Sequence, residues 1–144
     1  MNMRMILEKM VKTLLVISLA ACSVMTMAAQ DASLNNVYSE DKQNISVALD
    51  KPTFVLKLKS NPTTGYAWFL RDYNTNLIIP VKHSFQPPER GLIGAPGYEL
   101  WTFRVKPAAF TVPQITTIRM TYARPWQSGD SSTQIVFHVS TQGK

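Results

Sequence analysis

From residue 45 onward the chain alternates apolar and polar positions with a period of two, the period at which successive strand side chains point to opposite faces of a sheet. Ile45, Val47 and Leu49 alternate with Ser46 and Ala48, and Phe54, Leu56 and Leu58 alternate with Val55, Lys57 and Lys59. Asp50-Lys51-Pro52 divides the two runs. Residues 66–70 predict a third strand, with Trp68 large enough to anchor a core between two sheets. Residues 78–85 predict an edge strand, because Pro80 has no N–H to give to a ladder. Residues 98–105 predict a further strand, with Trp101, Phe103 and Val105 on one face and Leu100, Thr102 and Arg104 on the other. Ile118, Met120 and Tyr122, then Ile135, Phe137 and Val139, predict a hairpin with a long connection. Seven or so short strands separated by turns predict an all-β fold, an antiparallel immunoglobulin-like β-sandwich filling residues 43–144.

Residues 29–42 are polar without sustained periodicity and predict a flexible lead-in. Before them, Arg4, Lys9 and Lys12 precede the apolar run at 14–21, the layout of an export signal. The run is short for a membrane span. Two processing routes remain open. Leu19-Ala20-Ala21-Cys22 has the form of a bacterial lipobox, which would end the leader at residue 21 and leave Cys22 lipidated. Small residues at Thr26 and Ala28 equally suit cleavage after residue 28. The expected location is therefore outside the cytoplasm: periplasmic or secreted, or held in the bacterial envelope by a lipid on Cys22.

The chain has 144 residues and a formal charge of +6. Without Arg4, Glu8, Lys9 and Lys12 there remain 12 basic and 8 acidic residues, or +4. These are dispersed, with no stripe of the kind that binds nucleic acid, so no nucleic-acid partner is expected. Cys22 is the single cysteine, so the sandwich has no internal disulfide and must hold by packing. His83 and His138 are the two histidines, both on expected strands and without clustered carboxylates. That excludes a recognisable metal site, nucleophile or cofactor centre, and the chain is not read as an enzyme. A monomer is expected.

Candidate chemistry lies in three connections. In Asn61-Pro62-Thr63-Thr64-Gly65-Tyr66, Pro62 fixes its own φ and Gly65 permits a positive one, giving a pre-shaped turn with an uncharged apex. The stretch 91–97 carries three glycines, including Gly94-Ala95-Pro96-Gly97, where backbone can approach another surface closely. Arg124-Pro125-Trp126 places an aromatic in a polar loop, a typical binding hot spot. In an immunoglobulin-like sandwich alternate connections gather at one end, which makes these three stretches neighbours. A binding platform built on Trp126 and Tyr98, in a carbohydrate-binding or envelope module, is the competing reading.

These residues carry a resemblance to the chagasin-type inhibitors of papain-like cysteine peptidases. Residues 61–68 resemble the family's first inhibitory loop, 92–97 its glycine-rich second and 124–126 its third, in the same order and spacing. Pro96 departs from the pattern, standing where the family tends to have another small flexible residue. The resemblance implies a sandwich whose three loops form a wedge that fills a peptidase cleft, the first loop lying nearest the catalytic cysteine. It implies reversible inhibition without cofactor or metal.

Overall fold

The computed structural model describes residues 36–88, 94–126 and 132–143, and the alternation is realised there as eight strands. They are β1 (Val37–Tyr38), β2 (Asn44–Val47), β3 (Thr53–Ser60), β4 (Ala67–Tyr73), β5 (Ile78–Gln86), β6 (Gly97–Val105), β7 (Gln114–Ala123) and β8 (Thr133–Thr141). Two sheets of four strands result, ordered β1-β3-β6-β5 and β2-β8-β7-β4. Between the strands lie two short 3-10 turns, Pro62–Thr64 and Pro107–Phe110.

The inward positions of the two sheets form one apolar core. β3 supplies Phe54, Leu56 and Leu58, β6 supplies Phe103 and Val105, β7 supplies Ile118 and Met120, and β8 supplies Ile135, Phe137 and Val139. Each such side chain withdrawn from water contributes about 1.5–3 kcal/mol, the main favourable term in a sandwich without an internal disulfide. Phe54 and Phe103 stack across the β3–β6 pair with ring centroids 5.6 Å apart. Trp68 is buried in the core, as expected of a ring placed between sheets. Trp101 is only partly buried and packs on the core's flank.

Several features differ from the sequence reading. Val37–Tyr38, within the stretch expected to be a flexible lead-in, is β1, because its Tyr38 ring finds a core position edge-on to Phe54. Residues 29–35 and the leader, with Cys22, lie outside the described residues. The sheets are mixed rather than wholly antiparallel: β1 runs parallel to β3 and β2 parallel to β8, while the remaining strand pairs are antiparallel. β2 ends at Val47, since an Ala48–Lys51 bridge closes a tight turn and leaves Leu49 exposed. β7 and β8 form the expected hairpin, and β5 is the expected edge strand, with a register shift between Pro80 and Lys82.

The connection at 61–66 is not a hairpin turn. β3 belongs to one sheet and β4 to the other, so this segment carries the chain across the end of the sandwich. β4 and β5 each lie at one edge of their sheet, opposite β2 and β1 respectively.

Candidate functional site

The crossing segment is a single 3-10 turn, Pro62–Thr64, capped at both ends by its own sequence. Asn61 precedes it in extended conformation (φ −127°, ψ 91°), and its Oδ1 accepts from Thr63 N–H at 3.3 Å and from the Thr63 hydroxyl at 2.6 Å. The Asn61 carbonyl accepts from Thr64 N–H at 3.1 Å and the Thr64 hydroxyl at 2.6 Å. Gly65, at φ 78°, closes the turn by donating its N–H to the Pro62 carbonyl at 3.0 Å. A left-handed φ is what glycine adopts without steric cost. Both threonine hydroxyls thus donate inside the turn, which leaves an uncharged, exposed apex surface. Such a surface enters an apolar cleft at little desolvation cost.

Two hydrogen bonds tie the other stretches to this turn. Asn61 Nδ2 donates to the Gly94 carbonyl at 2.9 Å, where Gly94 itself takes φ 80°. Arg124 Nε donates to the Thr64 carbonyl at 3.0 Å, and its guanidinium lies 4.6 Å from the centre of the Tyr66 ring. Below Arg124 an aromatic series descends into the core: Tyr66 stacks on Tyr122 at 5.3 Å, and Tyr122 meets Trp68 at 5.0 Å. The Tyr122 hydroxyl also accepts the Asn61 N–H at 3.0 Å. Pro125 and Trp126 are exposed, Trp126 at 73%.

All thirteen residues expected at the site, 61–66, 94–97 and 124–126, are described. The hydrogen bonds above bring the first, second and third stretches together at one end of the sandwich. Gly97 differs in kind, being the first residue of β6, paired with Ser60, rather than part of a loop. A Cβ on it would collide with the Gln86 carbonyl oxygen and come within 2.6 Å of the Phe85 ring, so its bareness serves strand packing. Pro96 lines a shallow concavity of about 250 Å³ with Lys59, Ser60, Asn61 and Tyr122. Tyr98, half of the competing platform, stands on the outer face of its sheet beneath the Lys57 ammonium, 4.3 Å from the ring centre, instead of on the tip.

Sequence reasoning missed Glu99. It is 4% exposed and sits under the tip, where Oε1 accepts from the Ser60 hydroxyl at 2.7 Å and Trp68 N–H at 3.1 Å. Its Oε2 accepts from Trp101 Nε1 at 3.3 Å and lies 3.0 Å from His83 Nε2. The signal was present in the alternation, since Glu99 shares the inward register of Trp101, Phe103 and Val105. Tyr122 was read as an alternating strand position, without its bond to Asn61. Among the described residues no group of three or more His, Cys, Asp or Glu side chains is placed to hold a metal.

Residues 49–140, more than half of the chain, match the Chagasin family peptidase inhibitor I42. The chain belongs to the chagasin family. Among curated relatives it is 33% identical over 75 residues to chagasin of Trypanosoma cruzi, covering 49% of this chain and 64% of that protein. It is 32% identical over 76 residues to amoebiasin-2 of Entamoeba histolytica, covering 51% and 57% respectively. The matched segment thus spans somewhat under two thirds of each of these chagasin-family relatives. In structure the chain is similar to the cysteine protease inhibitor EhICP2 from Entamoeba histolytica, with TM-score 0.57 and 21% identity over 76% of this chain and 95% of that one. It is also similar to PbICP-C, solved in complex with falcipain-2, with TM-score 0.55 and 16% identity over 74% of this chain and 90% of that one. These likenesses establish a shared chagasin-type fold.

Proposed function

We propose that this chain is a reversible inhibitor of papain-like cysteine peptidases that occludes the active-site cleft with the three stretches gathered at the tip. Its chief support is the pair of hydrogen bonds that lock the turn from both sides, Asn61 to Gly94 and Arg124 to Thr64. A wedge already fixed in the free protein loses little conformational freedom on docking, which is how a small surface binds tightly. The turn approaches the catalytic thiolate with its methyl-bearing apex, while residues 94–96 and Trp126 rest on the two flanks of the cleft.

The Arg124 bond and the bonds within the turn also protect the wedge from being cleaved. The carbonyls of Asn61, Pro62 and Thr64 each already accept a hydrogen bond within the tip. A carbonyl so engaged is not free to enter an oxyanion hole, whose donors stabilise the charge that develops on attack. The peptide bonds that follow Asn61, Pro62 and Thr64 are therefore held away from attack while the segment occupies the cleft.

Export accompanies this activity: the leader sends the domain across the inner membrane, and either Cys22 becomes a lipid anchor or cleavage after Ala28 frees a periplasmic or secreted monomer. Mass spectrometry of the mature N-terminus decides between the two routes. Inhibition is tested by titrating purified domain into papain, a cathepsin and a bacterial papain-like enzyme, with a serine and a metallopeptidase as controls. Loss of activity confined to the cysteine enzymes is the expected result. Thr64→Arg, which presses a bulky cation toward the positively charged imidazolium side of the cleft, abolishes it. Full activity of all three cysteine enzymes in excess protein sinks the proposal.

A further inference from the structure

Glu99 is a buried carboxyl group that does not reach the surface of the wedge. A carboxylate has about four lone-pair sites, and in Glu99 four partners from four strands meet them: the donors Ser60 of β3, Trp68 of β4 and Trp101 of β6, and the ring nitrogen of His83 of β5. Ser60 and Trp68 are the two stems of the crossing segment, one in each sheet. Trp68 belongs to an edge strand, and its N–H is spent on Glu99. The carboxylate is thus a direct bridge between the sheets at the base of the tip. On its outer side His83 stacks on Trp101 with ring centroids 4.0 Å apart, which fixes the imidazole against Oε2.

A buried charge is a poor way to gain stability, because well-packed apolar side chains of similar volume commonly hold a fold as well or better. What four directional bonds supply, and a leucine does not, is a fixed position for each donor. We infer that Glu99 is a positioning residue of the inhibitor: it sets the separation and tilt of Ser60 and Trp68, and through them the Pro62–Thr64 turn. This inference rests on the proposed inhibition of papain-like peptidases and adds to it a determinant that does not touch the enzyme.

Glu99→Gln is nearly isosteric but replaces one acceptor oxygen with a donor, while Ser60→Ala removes the hydroxyl donor and leaves the carboxylate. The full domain carrying each change is compared with wild type for thermal unfolding and for papain inhibition and dissociation rate. Glu99→Gln is expected to weaken inhibition tenfold or more, chiefly by faster dissociation, and Ser60→Ala threefold or more, with the β circular-dichroism spectrum kept. If Glu99→Gln fails to fold, Ser60→Ala carries the test alone. A merely structural role is separated by a double-mutant cycle. Either substitution made in a Thr63→Gly/Thr64→Gly background costs less than twofold further when its effect passes through the turn. Unchanged inhibition in both variants, or the same loss with and without the threonines, overturns the inference. Wild-type protein that leaves papain active overturns the inhibitor proposal itself, and the wild-type titration shows that before any variant is compared.

Discussion

The Trp126 ring lies against the bare Cα of Gly65, so that a Cβ built there would come within 2.7 Å of the ring's Cη2 and 2.8 Å of Cζ2. Gly65 therefore answers two demands at once: a left-handed φ of 78° and a seat for the third stretch on the first. Gly65→Ala meets both penalties. The φ alone costs about 1–2 kcal/mol for a residue with a Cβ. Weaker papain inhibition is expected, and Trp126→Ala in the same chain relieves the collision but not the φ, so the two changes combine non-additively. Inhibition constants for the two single variants and the double variant check this.

Trp126→Ala by itself should weaken binding by about 2 kcal/mol or more, the scale of an aromatic hot spot, and chiefly through faster dissociation. Folding should be untouched, because the side chain is 73% exposed in the free protein. A fall in melting temperature that matched the loss in affinity would show a packing role instead. Stopped-flow dissociation and calorimetric unfolding measure the two sides.

Asn61→Ala removes the cap that receives Thr63 and the tether to Gly94 together. Loss of such a cap costs about 0.5–2 kcal/mol. Hydrogen exchange at Thr64 and Gly65 is expected to quicken while the core of β3 and β6 stays protected. Global quickening would mean that the change had unfolded the sandwich, not loosened its tip.

Arg124→Lys keeps the charge but not the geometry. Lysine has no planar fork to lie over Tyr66 and at the same time donate to the Thr64 carbonyl. Papain affinity should fall toward that of Arg124→Ala, with intermediate values showing that charge alone carries part of the effect. Freed of Arg124, the Thr64 carbonyl should also make the turn cleavable during long incubation with excess papain. Mass spectrometry for cuts within residues 61–66 reads that directly.

Alternation by itself determined the strands, because a period of two is a local property and the inward faces of β3, β6, β7 and β8 needed no partner to be recognised. Turn chemistry was equally local: Asn61, Pro62 and Gly65 specify the cap, the bend and the left-handed close within five residues. The family was legible for the same reason, since three short loop patterns stand in linear order, with Pro96 the one departure. What only the tertiary structure decided was everything that depends on which strands meet. Val37–Tyr38 becomes a strand because β3 offers it an edge, and the parallel pairing of β1 and β2 follows from where their partners lie. Gly97 belongs to β6 because Ser60 pairs with it. Asn61 meets Gly94 across 33 residues and Thr64 meets Arg124 across 60, distances at which no pattern in the chain marks a partner. Glu99 shows the boundary most sharply: its position in an apolar register was written in the sequence, but the four partners that make its burial tolerable come from both sheets and exist only once these have closed over it.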